Sequence, residues 1–277
     1  MTNPLVRSVS DRLKRIAREQ QATYAEILTQ FLIERAVARL AIEPGLQEHL
    51  VFKGGFVGLR VYGSPRFTTD LDAITYRKDR GEIIRLIKNA LSKSLGDHVW
   101  FIYENEMDLV TQGEYGGIRI AYRFGLGDPP KDLRKAQIFH IDIGSGDPVT
   151  PEPRREVTHP TLGEEKITWL VYPVETIIAE KLHPLVRLGS DNSRSKDIFD
   201  LAHHLPKSSI EQVKKAIQAT FSYRGDTVPD SFAEFLAGFD RSKLRRGWKA
   251  ATGTIQNTPD FDASFDAIIE WCRSNSL

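Results

Sequence analysis

The sequence predicts an α+β protein, with a mixed sheet and flanking helices over residues 1–172 and an α-helical half over residues 173–277. Three observations predict it. Short β-branched and aromatic runs, some strictly alternating, recur between residues 50 and 172, separated by Gly- and Pro-bearing turns. Past Pro173 the apolar residues return at helical spacing almost to the end. The composition, 40% hydrophobic and 27% charged over 277 residues, is that of a globular chain and excludes a disordered one.

Val9, Leu13, Ile16 and Ala17 give a first helix, and Thr23-Tyr-Ala-Glu26 is a capping box opening a second through Ile27, Leu28, Phe31, Leu32 and Val37. Pro44-Gly45 closes it. Leu50-Val-Phe-Lys53 reads as a strand, Gly54-Gly55 as a turn and residues 56–62 as a helix. After the Gly63-Ser-Pro65 turn, residues 66–76 read as a second strand and 81–95 as a helix. In residues 117–125 Ile118, Ile120, Tyr122 and Phe124 alternate with Arg119 and Arg123; residues 136–144 and 168–172 supply further strands. The boundary is set near 173, and there is no internal repeat.

The single cysteine, Cys272, excludes an intrachain disulfide or a cysteine zinc cluster and fits a reducing compartment. The first residues carry no signal-peptide core and no run approaches the roughly 18 apolar residues of a membrane helix, so a cytoplasmic protein without a membrane partner is expected. With 38 basic against 37 acidic residues the net charge is +1, so a nucleic-acid partner must be held by a local basic patch.

Asp70 and Asp72 are two apart on an expected strand, hence on one face, with Leu71 on the other. Paired carboxylates suit magnesium, and Gly54-Gly55 at a helix start suits a phosphate. Together they describe a nucleoside triphosphate site; separately each also fits a tight turn or a solvated strand end. Asp142 is the candidate third carboxylate, as metal ligand and base for an attacking hydroxyl, or else as a hydrogen-bond partner of the turn after it. Lys181 falls in the apolar stripe formed by Ile177, Ile178, Leu182 and Leu185, so it either snorkels or meets an anion. Asp197 and Asp200 share a helix side and can pair with Lys181 or Arg194, contact a nucleotide, or complement the helix dipole.

Lys53-Gly-Gly, Leu59-Arg60, Arg66-Phe-Thr-Thr-Asp-Leu-Asp72, Glu180-Lys181 and Lys196-Asp197 with Asp200 resemble the AbiEii-type nucleotidyltransferase toxins of the DNA polymerase β-like superfamily. Ser10 to Ala17, Glu34-Arg35 and Arg39-Leu40 resemble that family's leading helices, so the similarity runs from about 8 to 205. The resemblance implies a nucleotidyltransferase-like sheet and a toxin of type IV toxin-antitoxin or abortive-infection systems, with a cognate antitoxin. Some such toxins add nucleotides to the 3′ end of tRNA.

Carried onto this chain, Gly54 and Gly55 would hold phosphate, Asp70 and Asp72 the metals, and Lys181 the triphosphate. Lys196 and Asp197 would match the later motif and, with Thr68 in the place of the hydroxyl residue before the first Asp, bind the nucleotide, while Asp200 of the same motif would join the catalytic residues. Phe56 departs from the small hydroxyl residue common after the Gly pair; Pro184 and the Gly189-Ser-Asp-Asn192 loop interrupt a usually more continuous helix. The expected chemistry is a two-metal, magnesium-dependent in-line transfer from a nucleoside triphosphate to an acceptor hydroxyl, tRNA on the resemblance. Asp142 would deprotonate the acceptor, Lys181 would neutralise the leaving pyrophosphate, Arg66 would contact nucleotide phosphate, and Arg60, Arg187 and Arg194 would contact RNA. The rival is a non-catalytic nucleotide-binding or partner-docking protein with the same fold.

Three further features are weaker. Lys243-Leu-Arg-Arg-Gly-Trp-Lys249 could bind RNA with a base stacked on Trp248, or be a solvated face; His203-His204 and Cys272 read as structural.

Overall fold

The computed structural model describes residues 3–75, 79–109, 116–146 and 148–277. The chain divides into two compact units: Met1–Val57, Phe67–Gly146 and Arg155–Val171 form the first, and Gly58–Arg66, Asp147–Arg154 and Tyr172–Leu277 the second.

The first unit opens with α1 (Pro4–Glu19), whose Asn3 side chain accepts from the Leu5 amide, and α2 (Tyr24–Ala41), whose capping box is complete. Thr23 Oγ1 accepts from the Glu26 amide at 3.2 Å, and the Glu26 carboxylate accepts from the Thr23 amide at 2.8 Å. The expected amphipathic α2 is buried on nearly every side, because its charged residues are satisfied internally. Arg39, fully buried, forks onto Asp97 at 2.7 and 2.9 Å and also donates to three carbonyls. Burial opposes the Asp97 charge, yet Arg39 and Arg35 pull its carboxyl down to about 2.

Among the described residues the sheet has seven strands, ordered β3-β4-β5-β2-β1-β7-β6. They are β1 (Leu50–Lys53), β2 (Leu71–Thr75), β3 (Val99–Leu109), β4 (Gly117–Leu126), β5 (Gln137–Ser145), β6 (Arg154–Thr158) and β7 (Ile167–Val171). β1 lies antiparallel to β2 and parallel to β7; β5 lies parallel to β2 and antiparallel to β4. The sheet is mixed, as expected. Leu71, Ala73, Ile118, Ile120, Ile141 and Ile143 bury one face, where α2 and α4 (Arg80–Ser92) pack. Every other residue faces the opposite way, which is where the charged side chains lie.

Two expectations shift. The second strand starts at Leu71 rather than 66, and Arg66, Thr68 and Asp70 precede it in irregular backbone; Tyr76 lies outside the described residues. Strands β3 and β6 were not anticipated.

The second unit holds α5 (Val174–Leu188), α6 (Ser195–His204), α7 (Ile210–Tyr223), α8 (Phe232–Ala237), α9 (Ser242–Thr252) and α10 (Phe261–Ser274) around one apolar core. Helix α5 runs unbroken through Pro184, whose carbonyl accepts from Asn192 Nδ2 at 2.9 Å, so the expected interruption lies only in the Gly189–Asp191 turn beyond it. Cys272 is fully buried in this core, its thiol pushed up to about 12 by burial. Among the described residues no helix is long and apolar enough to cross a membrane.

Candidate active site

In the first unit four charged residues stand directly opposite one another on four adjacent strands. Lys53 of β1 pairs with Asp72 of β2, Asp72 with Asp142 of β5, and Asp142 with Arg119 of β4. Direct opposition puts all four side chains on one face, opposite the one against which α2 and α4 pack. The row reads cation, carboxylate, carboxylate, cation. Leu71 is fully buried on the reverse face, so the parity expected for Asp72 holds.

Helix α3 (Gly54–Arg60) starts immediately after Lys53, so the Gly pair is its first turn rather than a turn before it. Gly54 has φ +72°, and a Cβ there would stand 2.0 Å from Asp72 Oδ2. Only glycine fits, and it brings backbone against the carboxylate. Phe56 turns into the core against Trp169, ring centroids 6.0 Å apart, which removes it from the open face.

Asp70 lies one residue before β2, its side chain 43% exposed, with Oδ1 3.4 Å from His140 Nδ1. Thr68 Oγ1 donates to the Asp70 carbonyl at 3.3 Å, shaping the approach to the strand. Asp142 is held by Arg119 in a two-pronged ion pair, Nε to Oδ1 at 2.7 Å and Nη2 to Oδ2 at 2.6 Å. The bonds to Asp142, reinforced by the charges of Asp142, Asp70 and Asp72, hold Arg119 above its ordinary range against the cost of burial. Among the described residues, no three His, Cys, Asp or Glu side chains converge as a ready metal cluster. Asp72 and Asp142 are thus brought into register, while Asp70 and Asp142 are each engaged by a neighbouring cationic or imidazole group.

The second unit holds the remaining acidic motif. Lys181 Nζ lies 2.8 Å from Asp197 Oδ1 and 2.7 Å from Asp200 Oδ2. Arg66 forks onto Asp200 at 2.9 and 2.8 Å, and Arg194 Nε meets Asp197 Oδ2 at 2.6 Å. Both carboxylates are 5% exposed and Lys181 15%. Burial opposes every charge here, but mutual attraction wins: Lys181 lies above the usual lysine range, and Asp197 and Asp200 lie below the usual carboxylate range. Lys196 points outward, Arg187 donates to Asp226 at 3.3 Å, and Arg60 ends α3.

Trp248 is buried and its indole N–H donates to the Pro259 carbonyl at 3.0 Å, so the base-stacking surface considered for it does not exist. His204 is buried and held at about 4 by burial, while His203 lies within reach of the Tyr62 carbonyl, consistent with structural roles.

Sequence reasoning missed Arg119. Its signal was present: an arginine alternating with Ile118 and Ile120 on a strand with one buried face has to stand on the open one.

The sequence profile of the nucleotidyl transferase AbiEii toxins of type IV toxin-antitoxin systems matches residues 35–271. Among solved structures, the chain is similar to MenT4, a nucleotidyltransferase toxin from Mycobacterium tuberculosis, with TM-score 0.64 and 17% identity over 95% of this chain and 89% of that one. It is also similar to a protein from H. pylori described as a nucleotidyltransferase, with TM-score 0.54 and 17% identity over 92% and 96%. At those identities the likeness is one of fold. No curated protein matches the sequence.

Proposed function

We propose that this chain, which belongs to the AbiEii nucleotidyl transferase toxin family of type IV toxin-antitoxin systems, transfers a nucleotide from a nucleoside triphosphate to the 3′-terminal hydroxyl of an RNA, with tRNA the acceptor its family resemblance implies. The observation that carries this reading is the in-register row Lys53, Asp72, Asp142 and Arg119, with the Gly54 backbone closed against Asp72. Backbone N–H groups at the start of α3 are suited to receive phosphate oxygens. Asp142, two positions along the row from that turn, is suited to take the proton of an attacking hydroxyl.

The donor set is all carboxylate oxygen, which fits magnesium, a cation that takes one or two carboxylates and completes its shell with water and substrate phosphate. Asp70 and Asp72 would hold it, with Asp142 available once Arg119 releases it. Bound there, the cation supplies positive charge to the phosphate oxygens during transfer. The resemblance gives Lys181 the part of a triphosphate-binding cation, and Asp197 and Asp200 support that part by fixing its ammonium. A cognate antitoxin is the partner the family implies.

Incubation of the purified protein with tRNA, magnesium and each labelled triphosphate in turn, resolved on a denaturing gel, tests the reading. Label should enter tRNA with at least one triphosphate, and Asp72→Ala should abolish both the label and growth arrest on expression. Unlabelled tRNA with all four triphosphates, together with undiminished toxicity of Asp72→Ala, would leave the non-catalytic alternative.

A further inference from the structure

Arg119 has no part in the chemistry so far, yet it ends the charged row. Along the sheet the Gly54 turn adjoins β1 and β2, Asp142 follows on β5, and Arg119 stands beyond it on β4. Two strand spacings, about 10 Å of backbone, separate Arg119 from Asp72 on the side away from the turn. An in-line displacement places the attacking hydroxyl opposite the leaving pyrophosphate. With the leaving group at the Gly54 end, the acceptor enters from the Arg119 end.

Both Asp142 oxygens accept from Arg119, and a carboxylate so occupied is poorly placed to take a proton. For Asp142 to act, the guanidinium has to move. It has room to do so: the Arg119 side chain is 35% exposed, and among the described residues its side-chain hydrogen bonds run to Asp142 alone. Arg123, four residues on along the same face, contrasts with it, being 18% exposed and bonded to both Glu104 and the Ala136 carbonyl. The planar fork that fits a carboxylate also fits a phosphate.

Resting on the nucleotidyltransferase reading, we infer that Arg119 is the acceptor-side phosphate ligand of this site, held on Asp142 in the free chain and transferred to the phosphodiester next to the acceptor hydroxyl when RNA binds. The acceptor is thereby a nucleic-acid end, since a protein or small-molecule hydroxyl brings no adjacent phosphodiester. The exchange also couples the two events: the base is released as the acceptor arrives.

Arg119→Gln keeps hydrogen-bonding capacity and removes the charge; Arg119→Lys keeps the charge and removes the fork. With the active parent as reference, the glutamine variant should raise KM for the RNA acceptor about tenfold with KM for the triphosphate nearly unchanged. The log–log salt slope of its RNA binding should shrink by about 0.7, one phosphate contact on a single strand. The lysine variant should retain the salt slope and lose part of the affinity. Independently of turnover, Mn2+ titration followed by electron paramagnetic resonance, without substrates, should show tighter binding to Arg119→Gln than to the parent, because Asp142 no longer has a built-in counter-cation. An unchanged acceptor KM in the glutamine variant overturns the acceptor assignment, and unchanged or weaker Mn2+ binding overturns the pairing with Asp142. An inactive parent fails the underlying reading instead, a result the Mn2+ titration distinguishes.

Discussion

The two acidic groups of this protein use the same side chain for opposite ends. In the first unit Asp70, just before β2, is 43% exposed and Asp142, on β5, 18%. In the second, Asp197 and Asp200 are 5% exposed, and all four of their oxygens accept from Lys181, Arg66 or Arg194. A half-exposed carboxylate such as Asp70 retains capacity for a cation or a proton, and Asp142 regains it once the partly exposed Arg119 lets go. A buried, saturated one has none to spare, and its work is to hold something else in place, here the ammonium of Lys181.

The largest expected effect lies in the saturated group. Asp200→Ala leaves Lys181 and Arg66 buried with half their counter-charge gone, and removing one partner of a buried pair costs about 3–5 kcal/mol. Denaturant unfolding should show that loss directly. An Asp200→Ala protein as stable as the parent would place Asp200 with the chemistry rather than the scaffold.

Next comes Asp72→Ala, where the comparison predicts the reverse: near-parental stability with nucleotide transfer lowered by about 10²–10³-fold, the scale for removing a group that stabilises developing charge. Leu71 keeps its buried place on the other face. Paired melting curves and initial rates would check it, and unfolding of this variant would erase the distinction between the two groups.

Gly54→Ala sharpens the comparison from the backbone. The added methyl meets Asp72 Oδ2 at 2.0 Å in a left-handed residue, so the half-buried carboxylate has to swing away while the backbone bears about 1–2 kcal/mol of strain. Transfer should fall about tenfold or more through the displaced ligand, with a small drop in melting temperature. Full activity would show that the close approach of Gly54 and Asp72 does not position the site.

What was legible in the sequence divides along similar lines. Parity told which face Asp72 takes, and apolar alternation located β4 and β5, because both are local properties of a strand with one buried side. The strand β3 escaped because its outer half, Glu104 to Asp108, is polar on an exposed sheet edge and follows no burial pattern. Asp70 was placed on a strand because the β-branched run before it mimics one, whereas that segment is irregular. Arg66 pairs with Asp200 across 134 residues, and Arg119 with Asp142 through strand register. Neither long-range match is written in spacing. Lys181 read as a core-facing lysine that either snorkels or meets an anion; of these the structure shows the second, with Asp197 and Asp200, already candidates for that pairing, as the anions.

The smallest effect concerns pH. His204 is buried at the end of α6, facing Tyr62 and His203, with Asp200, Lys181 and Lys207 the charges around it. Burial lowers it to about 4 from an ordinary 6.5. Because the folded value is depressed, the unfolded chain takes up the proton first as pH falls. Stability from this residue is therefore complete above pH 6.5 and is lost progressively toward 4, by about 1 kcal/mol between pH 7.5 and 6. Asp197 and Asp200 are also depressed, but from carboxylate values, so their contribution is lost only at more acidic pH. His183 and His203 are lowered as well and add to the same window, so the contribution of His204 has to be read as a difference. His204→Phe keeps an aromatic ring in the site and removes the titrating group. Its melting temperature should fall less steeply than the parent's from pH 7.5 to 6, and parallel curves would assign the acid sensitivity to the other histidines.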